Sequence, residues 1–353
     1  MKTSRWVLIF TLLIGAQTAL AQTEQTTGSV ARPTAAEQKI GPATISGSGD
    51  ISGNAQELEI GAEFRDFSRS PLSASLKGRI SQERFLPYDL QHWGAEGGLG
   101  WVLSPTSDLV ATYRYDHENV FNTSRDGDPS YKSVAGRSAV TALGLSFKHD
   151  SRDDSFYPTK GYKVQAGGEI ASKWFGGNYN FGRLESNFAM YVSPFSDGSH
   201  GPFLEDITFA EHFRAGWVED FGGVDEVPFF ERYFAGGSST VRGSRSRWLT
   251  PRGTDNQFIG GEILLLNNIE ARMPIFKGTF QKKLSAALFF DVGRAYRRFS
   301  EIGDFGYGIG AGLRYVVHFW KIDGIVRADY GINLNPEGDN STTNAHITFG
   351  TPF

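Results

Sequence analysis

Residues 57–66 read Glu57-Leu58-Glu59-Ile60-Gly61-Ala62-Glu63-Phe64-Arg65-Asp66, and their alternation decides the fold. Successive side chains of a strand point to opposite faces, so Leu58, Ile60, Ala62 and Phe64 fall on one side and Glu57, Glu59, Glu63 and Arg65 on the other. A helix would scatter those charges around its axis. The next segment repeats the pattern, with Leu72, Ala74, Leu76 and Ile80 set against Ser73, Ser75, Lys77, Arg79 and Ser81. Further candidates at 93–103, 107–117, 138–150, 161–172, 178–193, 203–219, 260–275, 283–297, 304–317, 324–335 and 344–353 bring the strong strands to thirteen. Many match or exceed the ~9–11 residues that a tilted strand needs to cross a bilayer, well above the usual globular strand of about 5–6.

The rest of the sequence narrows the class. Lys2 and Arg5, the apolar run Trp6–Ile14 broken only by Thr11, and Ala19-Leu20-Ala21 read as a secretory signal peptide over residues 1–21. Residues 22–40, rich in Gln, Thr and Ala and without period, read as a flexible periplasmic leader. With no cysteine among 353 residues, a disulfide framework, a thiolate metal site, a cysteine nucleophile and a lipidated cysteine are all excluded. A net charge of −4 gives no reason to expect nucleic acid. Beyond Ile14 no stretch approaches the ~20 apolar residues of a membrane helix. The exported chain is therefore either a soluble β protein or a transmembrane β-barrel, whose alternating spans escape hydropathy.

The connections favour the barrel. Short ones at 68–71, 104–107, 194–201 and 320–324 take turns with longer polar ones at 119–137, 220–259 and 335–344, as periplasmic turns and external loops do. With 220–259 external, the strands after it end with Phe353 at the periplasm. Both ends of a closed barrel on one side require an even strand number, and Pro42–Ile51 is the natural partner that makes fourteen. If that glycine-rich segment belongs to the leader, twelve strands starting at Leu72 remain possible, and the range is 12–16. Residues 41–353 are thus expected to form one all-β, antiparallel, up-and-down outer-membrane barrel. Aromatic pairs near presumed strand ends, such as Trp93 and Trp101 or Phe319 and Trp320, agree with interfacial girdles.

Four stretches carry a family resemblance. The long loop holds Phe229-Phe230-Glu231-Arg232-Tyr233-Phe234-Ala235-Gly236-Gly237, then Val241-Arg242-Gly243, and Gly260-Gly261-Glu262 opens the following strand. Asp150-Ser151-Arg152-Asp153 with Phe156-Tyr157-Pro158-Thr159-Lys160-Gly161 forms a turn, and Phe290-Asp291-Val292-Gly293 lies on the second strand after the loop. In order and spacing these resemble the carboxy-terminal barrel of the BamA/TamA superfamily, also called the bacterial surface antigen family. The last ten residues, with Phe349 and the terminal Phe353 in phase, resemble the assembly signal of outer-membrane barrels.

The resemblance implies that the long loop folds back into the lumen, where Arg242 meets Asp291, with Glu262 as a further lumen-facing partner. Strand parity agrees, since Leu288, Phe290 and Val292 point outward and Asp291 inward, where a guanidinium can pair with it. Gly306, Gly308, Gly310 and Gly312 share that inner face, which suits either close approach of another backbone or bending of the wall. The chain departs from the family at Ser244, where an aromatic is usual, and residues 22–55 cannot hold one of the family's periplasmic POTRA modules.

The resemblance further implies a role in outer-membrane protein insertion, translocation or biogenesis, through a weak seam between Pro42–Ile51 and Asn344–Phe353. The alternative is a passive pore or an accessory subunit of an outer-membrane complex. The expected partners are outer-membrane lipid, both phospholipid and lipopolysaccharide, and unfolded barrel substrates or another outer-membrane complex. Gly236-Gly237-Ser238-Ser239 lacks the context of a nucleophile elbow, and His149 beside Asp150, Asp153 and Asp154 reads as a turn rather than a metal site. Neither an enzyme activity nor a cofactor is expected.

Overall fold

The computed structural model describes residues 37–40, 43–51, 55–65, 71–85, 87–155, 157–196, 204–222, 226–276, 284–319, 322–336, 338 and 343–350. The stretch expected to be a signal peptide and most of the expected leader lie outside the described residues, as does Phe353.

Fifteen antiparallel strands form one sheet in strict chain order. They are β1 (Glu37–Ile40), β2 (Ala43–Ile51), β3 (Ala55–Arg65), β4 (Leu72–Phe85), β5 (Tyr88–Ser104), β6 (Ser107–Phe121), β7 (Gly136–Asp150) and β8 (Gly161–Ala171). The second half comprises β9 (Phe181–Val192), β10 (Thr208–Asp220), β11 (Ile263–Pro274), β12 (Leu284–Tyr296), β13 (Gly306–Phe319), β14 (Ile322–Asn333) and β15 (Thr343–Gly350). The fourteen strands expected from alternation are β2–β15. The short β1 lies inside the stretch expected to be flexible leader, where Glu37 pairs with Ser46 and Ile40 with Ala43. β5 and β6 run past their expected ends, with Asp89 opposite Phe121, so the loop between β6 and β7 is shorter than 119–137. A helical turn, Pro129–Lys132, sits in that loop, and the Asp128 side chain caps its first turn.

The alternation resolves into two environments. Leu99, Leu288 and Ile347 are 71%, 66% and 81% exposed on the outer face, while Glu270 and Asp291 are fully buried on the inner one. Apolar-out and polar-in is the arrangement of a barrel whose solvent is lipid. The apolar clusters inside are made where the long loop meets the wall: Phe229 and Ile259 pack with Tyr88, Leu90 and Val120, and Ala235, Val241 and Leu249 pack with Leu266 and Ala295.

The ladder runs unbroken from β1 to β15. Among the described residues no hydrogen-bonded pairing returns from β15 to the start, yet β15 comes within 8 Å of β2, and β14 within 8 Å of β1, between Cα atoms. The two ends of the sheet meet at a seam.

Candidate functional site

The long loop dives into the lumen because its glycines permit sharp reversals: Gly236, Gly237 and Gly243 have φ of 105°, 102° and 95°, conformations that side chains disfavour. At its tip, Arg242 reaches β12. The Arg242 backbone N–H and Nε donate to Asp291 Oδ2 at 2.9 and 2.7 Å, and Nη2 donates to Oδ1 at 2.7 Å. Nη1 turns to Glu270 on β11, 2.5 Å away, and the guanidinium lies 3.6 Å from the centre of the Phe289 ring. The expected Arg242–Asp291 pair is therefore present, bidentate and stacked.

Its surroundings are more extensive than sequence suggested. Arg272 and Arg314 also donate to Glu270, at 2.7 and 2.8 Å, and Arg314 donates to Asp329. Asn268 Nδ2 ties the assembly to the loop backbone, donating to the Thr240 carbonyl at 2.6 Å and to Asp291 Oδ1 at 2.8 Å. Arginines 242, 272 and 314 thus face carboxylates 270, 291 and 329, and none of the six is more than 5% exposed. Burying one ion without its partner is costly, so the network specifies a single docked position for the loop. Burial works against the charge on Arg242, but Asp291, Glu270 and Asp329 outweigh it and raise the pKa.

The glycines complete the fit. A methyl group at Gly308 would overlap the Arg242 carbonyl, one at Gly306 the Leu249 side chain, and one at Gly331 the Gly243 backbone. Gly310 and Gly312 instead abut the wall itself, at Phe289 and Tyr330 and at Asp329, so close approach of the loop explains only half of the glycine row. On the far side of the tip, Asn344 Nδ2 of β15 donates to the Gly243 carbonyl at 2.6 Å.

A second anchor holds the loop base. Glu231 accepts from Arg114 on β6 at 3.1 and 3.3 Å and from Arg183 on β9, whose Nη2 also reaches the Glu231 carbonyl at 2.7 Å. Arg232 donates to the Val227 carbonyl and to Glu226, and Arg247 to Glu83 and the Tyr88 hydroxyl while stacking on Phe234. Burial alone would raise the Glu231 pKa, but Arg114 and Arg183 more than offset it and hold it at about 2. A carboxyl held below its unfolded value of 4.5 contributes stability that is complete above pH 4.5 and fades as pH falls through about 2. The heat resistance of the folded barrel in Glu231→Gln is therefore expected to fall below wild type at neutral pH, and the gap to narrow between about pH 4.5 and 2. A constant gap across that range would show that the Glu231 charge is not what anchors the base.

Glu262 is half-buried at the mouth of β11, where its N–H donates to the Tyr296 carbonyl and its carboxylate is within Coulombic reach of Arg232 of the loop; the carboxylate that joins Arg242 and Asp291 is Glu270. Phe290 faces outward, 37% exposed, and a side chain at Gly293 would collide with the Leu265 carbonyl and Leu266. The expected turn also forms: Arg152 makes a bidentate pair with Asp150, Asp153 accepts from Thr159 and Lys160, Pro158 is buried, and Gly161 has φ of 96°. Partial burial would raise the Asp153 pKa, but hydrogen bonds from Thr159 and Lys160 lower it. His149 stacks on Tyr162 and bonds Ser107. Phe349 lies on β15 opposite Val326. Sequence reasoning missed Arg114, Arg183, Glu270 and Arg247; all but Arg247 sit at inward-facing strand positions, the one signal that could have found them.

Comparison with known proteins agrees with this geometry. The Omp85 superfamily domain matches residues 42–353. The outer membrane protein assembly factor BamA of Neorickettsia risticii is 25% identical over 231 residues, 65% of this chain and 29% of that protein. BamA of Nitratidesulfovibrio vulgaris is 26% identical over 279 residues, 76% of this chain and 32% of that protein. The chain thus spans about a third of the length of these relatives. Among solved structures, BamA from Haemophilus ducreyi lacking POTRA domains 1–3 superposes with a TM-score of 0.68 at 16% identity, covering 87% of this chain and 64% of that one. CdiB from Escherichia coli gives 0.55 at 14% identity over 88% and 56%. With the matched domain spanning nearly all of the strands and the docked loop, this outer-membrane barrel belongs to the Omp85 superfamily.

Proposed function

We propose that the barrel acts at the outer membrane, after export, in the insertion or translocation of other polypeptides, and that it does so by opening its seam rather than by covalent catalysis. One observation carries this reading: the loop tip is hydrogen-bonded to the seam strand itself, Asn344 of β15 holding the Gly243 carbonyl. The plug in the lumen and the edge of β15, which carries no further strand ladder among the described residues, are then parts of one device. An unpaired strand edge is a template for another strand, and an incoming barrel polypeptide supplies one. The BamA relatives are named as assembly factors, which supports the same reading.

The chain has no cysteine, so a disulfide can be placed without background. Cysteine pairs, one drawn from 43–51 and one from 343–350, are expected to lock the seam when oxidised. Insertion of a model barrel into liposomes containing the locked protein should fall to the rate of empty liposomes and recover on reduction. An unchanged rate in a fully cross-linked sample would rule out the seam as the working part.

A further inference from the structure

Charged groups inside the lumen belong to a barrel of this kind, whereas a carboxylate on the lipid-facing wall does not. On β10, Phe209, Glu211, Phe213, Ala215 and Trp217 share the outer face, and Phe209 and Phe213 are 43% and 38% exposed. Glu211 Oε1 accepts from Asn267 Nδ2 of β11 at 3.0 Å. Asn267 Oδ1 is buried and accepts no hydrogen bond among the described residues. Asn267 Oδ1 is thus closed off within the wall, and Glu211 is left facing hydrocarbon as a carboxylate with the Asn267 amide as its one donor among those described.

The ladder also fixes its depth. One lateral row starts at Tyr162, at the turn end of β8, passes through Met190, Glu211, Ile269 and Phe290, and reaches Thr343 at the loop end of β15. Glu211 lies two strands from the first rim and five from the second, in the half of the belt nearer the periplasm. Its neighbours along the row are apolar.

We propose that Glu211 and Asn267 form a lipid-selective notch for the headgroup ammonium of a phospholipid such as phosphatidylethanolamine in the periplasmic leaflet. A primary ammonium carries three donors and one positive charge, which matches the outward carboxylate of Glu211, held in place by Asn267. Coulomb attraction strengthens as water is excluded. An anionic headgroup meets the opposite, a fixed like charge. Phospholipid surrounds the wall on every side, and the apolar neighbours Met190, Phe213 and Ile269 accept its chains.

The test is native mass spectrometry of the full barrel, released from detergent after equilibration with an equimolar mixture of phosphatidylethanolamine and phosphatidylglycerol. Wild type should retain phosphatidylethanolamine by about tenfold over phosphatidylglycerol, the ratio that one charge-assisted hydrogen bond supports. Glu211→Gln should bring the ratio to about one, while Glu219→Gln, at the other end of the same outer face, should leave it unchanged. A measurement on wild type alone guards against misfolding: phosphatidylcholine, which lacks N–H donors, should be retained less than phosphatidylethanolamine. Equal retention of all three lipids, a preference that survives Glu211→Gln, or a dimer mass that Glu211→Gln abolishes would each overturn the proposal, the last in favour of a contact between copies.

Discussion

Arg242→Ala is expected to release the loop tip from the lumen and to destabilise its docked state by roughly 3–5 kcal/mol, the cost of leaving buried charges without their partner. Asp291 would lose both side-chain hydrogen bonds, from Nε and Nη2, and keep only the backbone N–H as a donor from residue 242. Glu270 would be better placed, because Arg272 and Arg314 still reach it. The asymmetry makes a double-mutant cycle informative. If Arg242 and Asp291 act as one unit, Arg242→Ala with Asp291→Ala should cost much less than the sum of the two single changes. Additive losses would mean that the pair is incidental to docking. The heat at which the compact gel form is lost measures the energy, and planar-bilayer conductance measures the consequence. Wild type, with the loop seated, should conduct poorly, and Arg242→Ala should show large fluctuating openings. A large, steady conductance in wild type that Arg242→Ala leaves unchanged would instead identify a passive pore.

How much of this was legible in the chain depends on the interaction concerned. The wall was legible because lipid outside and ions inside impose opposite demands on neighbouring residues, and a two-residue period records them directly, as in Leu288 and Phe290 outside against Asp291 inside. The seating of Arg242 on Asp291 was legible from the motifs and from parity together. Glu262 shows what parity leaves open. It shares its parity with Glu270, but eight residues of strand separate them, about 27 Å at 3.4 Å per residue. Side-chain alternation tells which face a residue takes and nothing of its height. The height at which the loop tip meets the wall is set by the path of residues 226–262 through the lumen, which no local pattern encodes. The same holds for Arg114 and Arg183, which face inward on strands far apart in sequence and meet only because Glu231 arrives between them. β1 left no signal at all, since Glu37-Gln38-Lys39-Ile40 has a single apolar side chain and an edge strand needs only its backbone to pair.

Gly308→Val separates the docking of the loop from the folding of the wall. Valine suits a strand better than glycine, so the change should leave the β12–β13–β14 ladder intact or slightly stabilised. Its side chain, however, would occupy the space of the Arg242 carbonyl and press on Val241. Neither can retreat: the Arg242 N–H and guanidinium are fixed to Asp291, and Gly243 on the next step lies against the Ile332 and Asn333 backbone. Overpacking a site with no slack typically costs about 1–3 kcal/mol, and backbone atoms cannot repack as side chains do, so the upper end is expected here. The loop tip should leave the lumen while the barrel stays folded, giving an Arg242→Ala-like conductance and a comparable loss of heat resistance, with the strand content unchanged. Gly100→Val makes the control, because a side chain there meets Ser73 and Val110 of the wall and nothing of the loop; it should lower the heat resistance without the same opening of the pore. If Gly308→Val remained closed, the loop would have to be held by its base at Glu231 alone, and the coupling of the tip to Asn344 and the seam would lose its physical support.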